Sequence, residues 1–584
     1  MGGIFGYVCK SPLDVFVVKE RLGKLTYRGY DGAGVAYDEG GEIKVVRVLG
    51  NISSANVLEK GEAKSYLALG HTRYASRGWP SINNTHPVVD CNERVFLVMD
   101  GIIDDYVNIK EKLIHQGHTF KSTTDAEVLP HLLEGEEDPL KGTLKIISEV
   151  KGIYAFAFIV KGKKAIYAAS LGQPLTVGAG ACALISSDQS AFTGLADRYA
   201  LIPEGWVAVL SEDKISAFDS MGNPAQLSFS DMKEVVPTSS AGYPHFMLKE
   251  IYDVPSAMVS ASSSLIDKYL ELAGMIVNGA KNVYIIGNGT SLHAGLISSY
   301  YFADVGIDTR VISAAEFPYY VLNNVGVGSV MIAISQSGET SDVMRSVRLA
   351  RQRGTAIVGI TNTIGSRLAA NSSIYLPLTA GPELAVPATK TFVATLVVLR
   401  LLATHSGFQR GTVDRKEVQD IKDSIFMLSK SLSGAMPDLE KEAKEISEKL
   451  YGSPGAYITS SGINFPVAME GALKLKEAAL VHAEGIQLGE LLHGPVALAS
   501  KGYPVITIRP SEDEALELYQ KIKEAVGFRG GRVIELPSPQ GISASRDLSP
   551  IVNVIPLQFI AYTLGVKNGV PVDTPPGLAK AMIT

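Results

Sequence analysis

The chain has 584 residues, 46% of them apolar and 20% charged, with a formal net charge of −6. That length exceeds what one hydrophobic core organises, so two to four domains are expected. The charge balance excludes the basic footprint of a nucleic-acid binder and leaves any anionic ligand to be held by local groups.

Three cysteines, Cys9, Cys91 and Cys182, stand far apart without CxxC spacing. This argues against a disulfide framework or a metal site and suits a reducing compartment. The opening Met1-Gly2-Gly3-Ile4-Phe5-Gly6 has no basic region followed by an apolar one, so no signal peptide is expected. The apolar run at 391–402 is shorter than the roughly 18 residues of a membrane span. The expectation is a cytoplasmic protein without a membrane or nucleic-acid partner.

Residues 1–237 contain short β-like runs at 44–48, 95–99, 153–160, 164–169 and 206–210, punctuated by Gly, Asp and Asn. Helical patterning is confined to 15–25 and 109–116. This reads as α+β with much antiparallel sheet. A Pro/Ser/Gly-rich segment at 236–244 reads as a linker.

From about 246 the pattern changes to long amphipathic helices between short apolar strands at 283–286, 330–334, 356–360 and 374–377. That alternation predicts doubly wound α/β sheets. Tyr284-Ile-Ile-Gly-Asn-Gly289 and Tyr457-Ile-Thr-Ser-Ser-Gly462 each end a strand in a glycine turn before a helix. An internal duplication is the simplest account, with a boundary near 415–435.

The sharpest local signal is Ser335-Gln336-Ser337-Gly338-Glu339-Thr340, directly after an apolar strand and before a helix. Its hydroxyls, its amide and the free N–H groups of a helix N-terminus suit a phosphate monoester. Gly287-Asn288-Gly289-Thr290-Ser291 has the same layout. Further on, in Glu470-Gly-Ala-Leu-Lys474-Leu-Lys476-Glu477, Lys474 and Glu477 share a helix face at i,i+3. Spacing alone leaves open a solvated salt-bridge face or an acid–base pair.

These motifs, with residues 25–36 (LTYRGYDGAGVA), 70–76 (GHTRYAS), 380–390 (AGPELAVPATK) and 489–495 (GELLHGP), run in one order along nearly the whole chain. Together they resemble the glutamine–fructose-6-phosphate aminotransferase family. The resemblance implies an α/β multidomain protein. Residues 1–237 would form an N-terminal-nucleophile (αββα) glutaminase-like domain and 238–258 a linker. Two sugar isomerase (SIS) domains would occupy 259–420 and 421–560, and a tail at 561–584 would complete the sugar-phosphate site.

The resemblance also implies roles. Thr290, Ser291, Ser335, Gln336, Ser337, Thr340, Val386 and Ala579 would hold the sugar phosphate. Glu477 would move a proton between C1 and C2, beside Lys474. His493 would open the sugar ring in a partner subunit's site, which requires at least a homodimer. Lys580 would form a Schiff base with the ketose, making the adjacent C–H acidic enough for a carboxylate. No cofactor and no metal are implied.

In the N-terminal half, Arg73, Ser76, His86, Gly101 and Asp125 match the family's glutamine pocket. Two positions depart. Gly2 replaces the nucleophilic cysteine, and Asp100 replaces an Asn that donates to the oxyanion, whereas an ionised Asp only accepts. The leading expectation is an enzyme interconverting fructose 6-phosphate and glucosamine 6-phosphate, with free ammonia in place of glutamine or running as a deaminase. One alternative is a full glutamine-dependent aminotransferase whose cysteine has been replaced. Another is a non-enzymatic phosphosugar sensor, which needs Ser335–Thr340 but not Glu477, Lys474, His493 or Lys580.

Overall fold

The computed structural model describes residues 2–75, 77–212, 214–232, 242–265, 267–363, 365–537, 542, 544–578 and 580. It contains two compact units, built on residues 1–237 and 238–580.

The first unit holds two antiparallel sheets. Eight strands run in the order Ser230–Asp231, Ala196–Leu201, Thr176–Gly180, Cys182–Ser186, Gly2–Asp14, Lys64–Arg73, Gly32–Glu39, Glu42–Leu49. Seven more run in the order Pro224–Ala225, Ile215–Phe218, Val207–Ser211, Ala165–Leu171, Gly152–Val160, Val95–Ile103, Val88–Val89.

Side-chain alternation explains why the strands read as continuous apolar runs. Along the first strand, Ile4 and Val8 face the core between the sheets, while Phe5, Tyr7 and Cys9 pack beneath the helix Phe16–Lys24. The helices Tyr106–His115, Val128–Glu134 and Pro139–Glu149 cover the other sheet, through Leu113, Val128, Leu129, Leu133 and Ile146. The result is the four-layer αββα arrangement.

The register overturns one expectation. Cys9 stands opposite Cys182 on neighbouring strands, and the two form a disulfide. Spacing along the chain carries no trace of this pairing, because register is set by the fold.

The second unit contains two parallel sheets. In the first, the strands Asn282–Gly287, Thr309–Ser313, Ser329–Ile334, Ala356–Thr361 and Ile374–Pro377 are arranged 2-1-3-4-5. In the second, Ala456–Ser460, Ala483–Gln487, Pro504–Thr507 and Arg532–Glu535 are arranged 2-1-3-4. The shared order fits a duplicated unit. In each sheet the chain reverses direction between strands 1 and 3, where doubly wound folds place their ligands.

Three features differ from the sequence reading. Much of the linker proposed at 238–258 is helical: Phe246–Tyr252 and Val254–Ser264 bury Met247, Ile251, Val254 and Met258 in the second unit's core; residues 238–241 lie outside the described residues. The boundary placed at 420 falls inside one 36-residue helix, Arg415–Leu450. The run at 391–402 belongs to the 21-residue helix Lys390–Arg410, which with Arg546–Lys567 is long and apolar enough to cross a membrane. Both helices are instead core elements, with most of their apolar windows buried.

Candidate active site

The phosphate-type loop follows the buried strand Ser329–Ile334 and precedes the helix Ser341–Gln352. Gly338 makes the turn at φ +68°. A Cβ there would lie 2.1 Å from Ser366 Oγ and 2.8 Å from Thr361 Oγ1. The Gly338 N–H donates to Ser335 Oγ (3.1 Å), whose hydroxyl pairs with Thr340 Oγ1 (2.9 Å). Ser337 Oγ accepts the Glu339 N–H at 3.1 Å, so its own O–H is left to donate. The Gln336 carbonyl accepts from the Asn362 N–H (3.0 Å), and Arg367 Nε anchors Glu339 at 2.6 Å. No side chain caps the following helix, so its first N–H groups keep their donor capacity.

Across the chain reversal, Thr290 and Ser291 open the helix Thr290–Asp304. Asn288 ties this turn to the phosphate-type loop's helix, donating to Asp342 Oδ2 at 3.0 Å. Thr290 Oγ1 donates to Glu470 Oε1 (3.0 Å), and His293 Nδ1 lies 2.7 Å from Glu470 Oε2. The equivalent helix of the second sheet, Phe465–Ala479, carries Glu470, Lys474 and Glu477. The two duplicated halves therefore meet through one carboxylate.

Lys474 and Glu470 are fully buried, which excludes the solvated salt-bridge reading. Lys474 Nζ bonds Glu477 Oε2 and lies 3.4 Å from Glu470 Oε1. Burial pulls the Lys474 pKa down, but Glu470 and Glu477 outweigh it and hold the group well above the ordinary lysine range. Burial likewise pushes Glu470 up, and the Lys474 charge with the His293 bond brings it below the ordinary carboxylate value. Lys474 is thus a fixed cation, and Glu477, partly open at 23% side-chain exposure, is the carboxylate that a ligand can reach.

Lys580 lies in the same unit. Its Nζ donates to Glu383 Oε2 and to the Ala385 carbonyl, both at 2.6 Å. Glu383 also accepts the Thr389 and Thr391 N–H groups and the Thr391 hydroxyl. Burial raises its pKa, yet Lys580 and these bonds bring it below the ordinary value. Glu250 accepts the Leu384 and Ala385 N–H groups; burial, then the Glu383 charge, pushes its pKa up to about 8. Val386 donates its N–H to the Asp573 carbonyl at 2.8 Å. Ala579 and Ser76 lie outside the described residues.

His493 is not brought to this cluster: it is exposed in the turn after Leu488–Leu491. Sequence reasoning missed His293, Glu383 and Glu250. His293 sits one turn beyond Thr290, and Glu383 is the single acid in the 380–390 motif; only the fold shows what they face.

In the first unit, the pocket-matching Arg73, His86, Gly101 and Asp125 line one cleft together with His71, Tyr74, Arg77, Met99 and Thr124. The space left is about 20 Å³, on the order of one or two waters. Arg73 Nη2 donates to the carbonyls of Arg77 (2.6 Å) and Gly78 (2.9 Å). Asp125 accepts the Ile103 N–H at 2.8 Å, and burial raises its pKa. Burial also holds His71 and His86 well below the ordinary histidine range.

Position 2 is tightly enclosed. The Gly2 N–H donates to Asp100 Oδ1 (2.8 Å), while Arg28 pairs with Asp100 Oδ2 (2.8 Å) and donates to the Gly2 carbonyl. A Cβ at Gly2 would lie 2.1 Å from the Thr72 carbonyl oxygen and 2.2 Å from His71 Nε2.

Comparison with known proteins bears on both halves. The SIS domain family matches residues 276–405 and 449–564, and the glutamine amidotransferase domain family matches 71–193. Proteins named glutamine–fructose-6-phosphate aminotransferase (isomerizing) from Thermococcus kodakarensis and Aquifex aeolicus are 33% and 34% identical over the whole of both chains. The chain belongs to this family. It is an enzyme of the isomerizing aminotransferase type. A solved C-terminal domain of glucosamine-fructose-6-phosphate aminotransferase from Francisella tularensis is 30% identical. That domain covers 58% of this chain and 100% of its own length, with a TM-score of 0.53. The family's two-part architecture, a glutamine amidotransferase domain followed by two SIS domains, is the one found here.

Proposed function

We propose that this aminotransferase interconverts fructose 6-phosphate and glucosamine 6-phosphate through a Schiff base, and that its N-terminal half no longer hydrolyses glutamine. The reading rests above all on the buried Glu470–Lys474–Glu477 group in the same unit as Lys580 and the Ser335–Thr340 loop.

The loop and the helix N-terminus behind it hold the phosphate. Lys580 adds to the C2 carbonyl as a free amine and the carbonyl oxygen leaves as water; Glu383, 2.6 Å from Nζ, holds the amine in place. Ammonia displaces the Lys580 amine from this imine; the resulting C2 imine draws electrons from the C1–C2 unit, and Glu477 moves a proton from C1 to C2, leaving an amine on C2 and an aldehyde at C1. Lys474 supplies a fixed positive charge beside Glu477. His493, exposed on its own chain, serves the site of a second copy, so the active form is at least a dimer. The burial of both long apolar helices supports a soluble protein, in keeping with a cytoplasmic location.

The amine enters as ammonia, or leaves as ammonia when the reaction runs as a deamination. Three observations support the loss of glutamine hydrolysis: Gly2 has no nucleophile, Asp100 presents a carboxylate already bound to Arg28 and to the Gly2 N–H, and the enclosure at position 2 leaves no room for a Cβ. The last of these disfavours a cysteine merely replaced by glycine.

Borohydride trapping tests the Schiff base. Reduction in the presence of fructose 6-phosphate should attach the sugar phosphate to Lys580 and nowhere else, read by peptide mass. Lys580→Ala should give no adduct, and Glu477→Gln should still trap the sugar but lose turnover. Adduct formation that survives Lys580→Ala would refute the assignment.

A further inference from the structure

The first unit contains a second cluster, made of residues that do not line the glutamine-type pocket. Cys91 lies in the turn between Val88–Val89 and Val95–Ile103, and His118 in the loop after the helix Tyr106–His115. His131 and Glu134 share one face of the helix Val128–Glu134. Their ligand-type atoms all lie within 4.8 Å of one another.

The distances have the form of a coordination shell. Cys91 Sγ is 3.7 Å from His118 Nδ1 and 3.5 Å from His131 Nδ1. Glu134 Oε2 is 2.9 Å from His118 Nδ1 and 3.4 Å from His131 Nδ1. A tetrahedron with zinc–sulfur bonds of about 2.3 Å and zinc–nitrogen or zinc–oxygen bonds of about 2.0 Å has edges of roughly 3.3–3.6 Å. Of the six edges of such a tetrahedron, three of these four lie within about 0.2 Å of that range and the fourth needs a small opening, while the remaining two are within 4.8 Å.

The surroundings fit a bound cation as well. Thr119 donates its N–H to Cys91 Sγ at 3.3 Å, a bond that a metal-bound sulfur would keep. The other ring nitrogen of the buried His131, Nε2, faces Glu127 Oε1 at 3.8 Å. Glu127 is itself fixed by the N–H groups of Lys121 and Ser122, at 2.7 Å each. A carboxylate behind a ligating histidine sets its tautomer and orientation. His131 Nε2 has no hydrogen-bond partner at normal distance; a metal on Nδ1 would fix the proton on Nε2 and draw it toward Glu127.

We propose that Cys91, His118, His131 and Glu134 form a zinc site. Four protein ligands leave no open position, so the site is structural, not catalytic. Thiolate and imidazole select zinc over the hard cations magnesium and calcium. The metal would clamp the 90–94 turn and the 116–121 loop to the helix Val128–Glu134, steadying the segment that carries Asp125 into the neighbouring pocket. The expectation that sparse cysteines exclude a metal looked only along the chain. Here 27 residues separate Cys91 from His118 and 40 separate it from His131.

The test uses the full chain, reduced and stripped with a chelator, then titrated with Co²⁺ and with Zn²⁺. Wild type should bind about one equivalent, with a thiolate-to-cobalt charge-transfer band that zinc abolishes. Cys91→Ala should lose the band, Glu127→Gln should weaken binding about 10–100-fold, and the exposed His115→Ala should leave both unchanged. Bound zinc should also slow alkylation of Cys91 at least tenfold. Wild type that takes up no cobalt, or cobalt bound without the thiolate band, would overturn the proposal without reference to any variant's folding.

Discussion

A lysine removed from water is tolerated in its charged form only where carboxylates replace the lost hydration. Lys474 has Glu470 and Glu477 on its own helix, with Glu383 contributing from a distance. Glu250 is the opposite case. Its pKa stands near 8 through burial and the Glu383 charge, against an ordinary 4.5. The folded protein therefore binds a proton that the unfolded chain releases. Stability from this group is full below pH 4.5 and is lost as pH rises toward about 8. Thermal melts of wild type should fall across pH 6–8.5 more steeply than those of Glu250→Gln, which keeps the neutral shape without the ionisation. Parallel profiles for the two proteins would remove Glu250 as the source.

At the scale of elements, the Ser335–Thr340 loop depends on one backbone conformation. Gly338 sits at positive φ with Ser366 and Thr361 packed against its α-carbon. Gly338→Ala should cost about 1–3 kcal/mol of local strain. It should weaken sugar-phosphate binding tenfold or more by calorimetry and leave the second sheet's folding intact; unchanged binding would show that the loop does not hold the phosphate. This loop was legible in the sequence because a buried parallel strand, small donors and a helix start are all local signals. The strands from 283 onward were legible for the same reason, as short apolar runs. Elsewhere the expected bounds failed. The linker bounds 238–258 came with the resemblance, whereas the local pattern already changes to helices near 246, and the apolar face of these helices packs into the core. The helix Arg415–Leu450 continues through Pro437 and across the expected boundary. The Cys9–Cys182 bond, the Glu383–Lys580 pair and the Cys91 cluster join segments far apart in the chain, and no periodicity records them.

At the scale of the whole molecule, the proposed function assigns the two units opposite chemical roles. In the SIS half, the duplicated first helices bring Thr290, His293 and Glu470 together, and the tail supplies Lys580. In the N-terminal half the αββα frame and its pocket lining surround Gly2, with Asp100 and Arg28 paired beside it. The Cys9–Cys182 disulfide, and on our proposal a zinc ion, staple that half. The most direct test offers the purified enzyme fructose 6-phosphate with either ammonium or glutamine as the amine donor and measures glucosamine 6-phosphate and glutamate. Ammonium should give the amino sugar, and glutamine should give neither product. Glutamate released in step with glucosamine 6-phosphate would contradict the account.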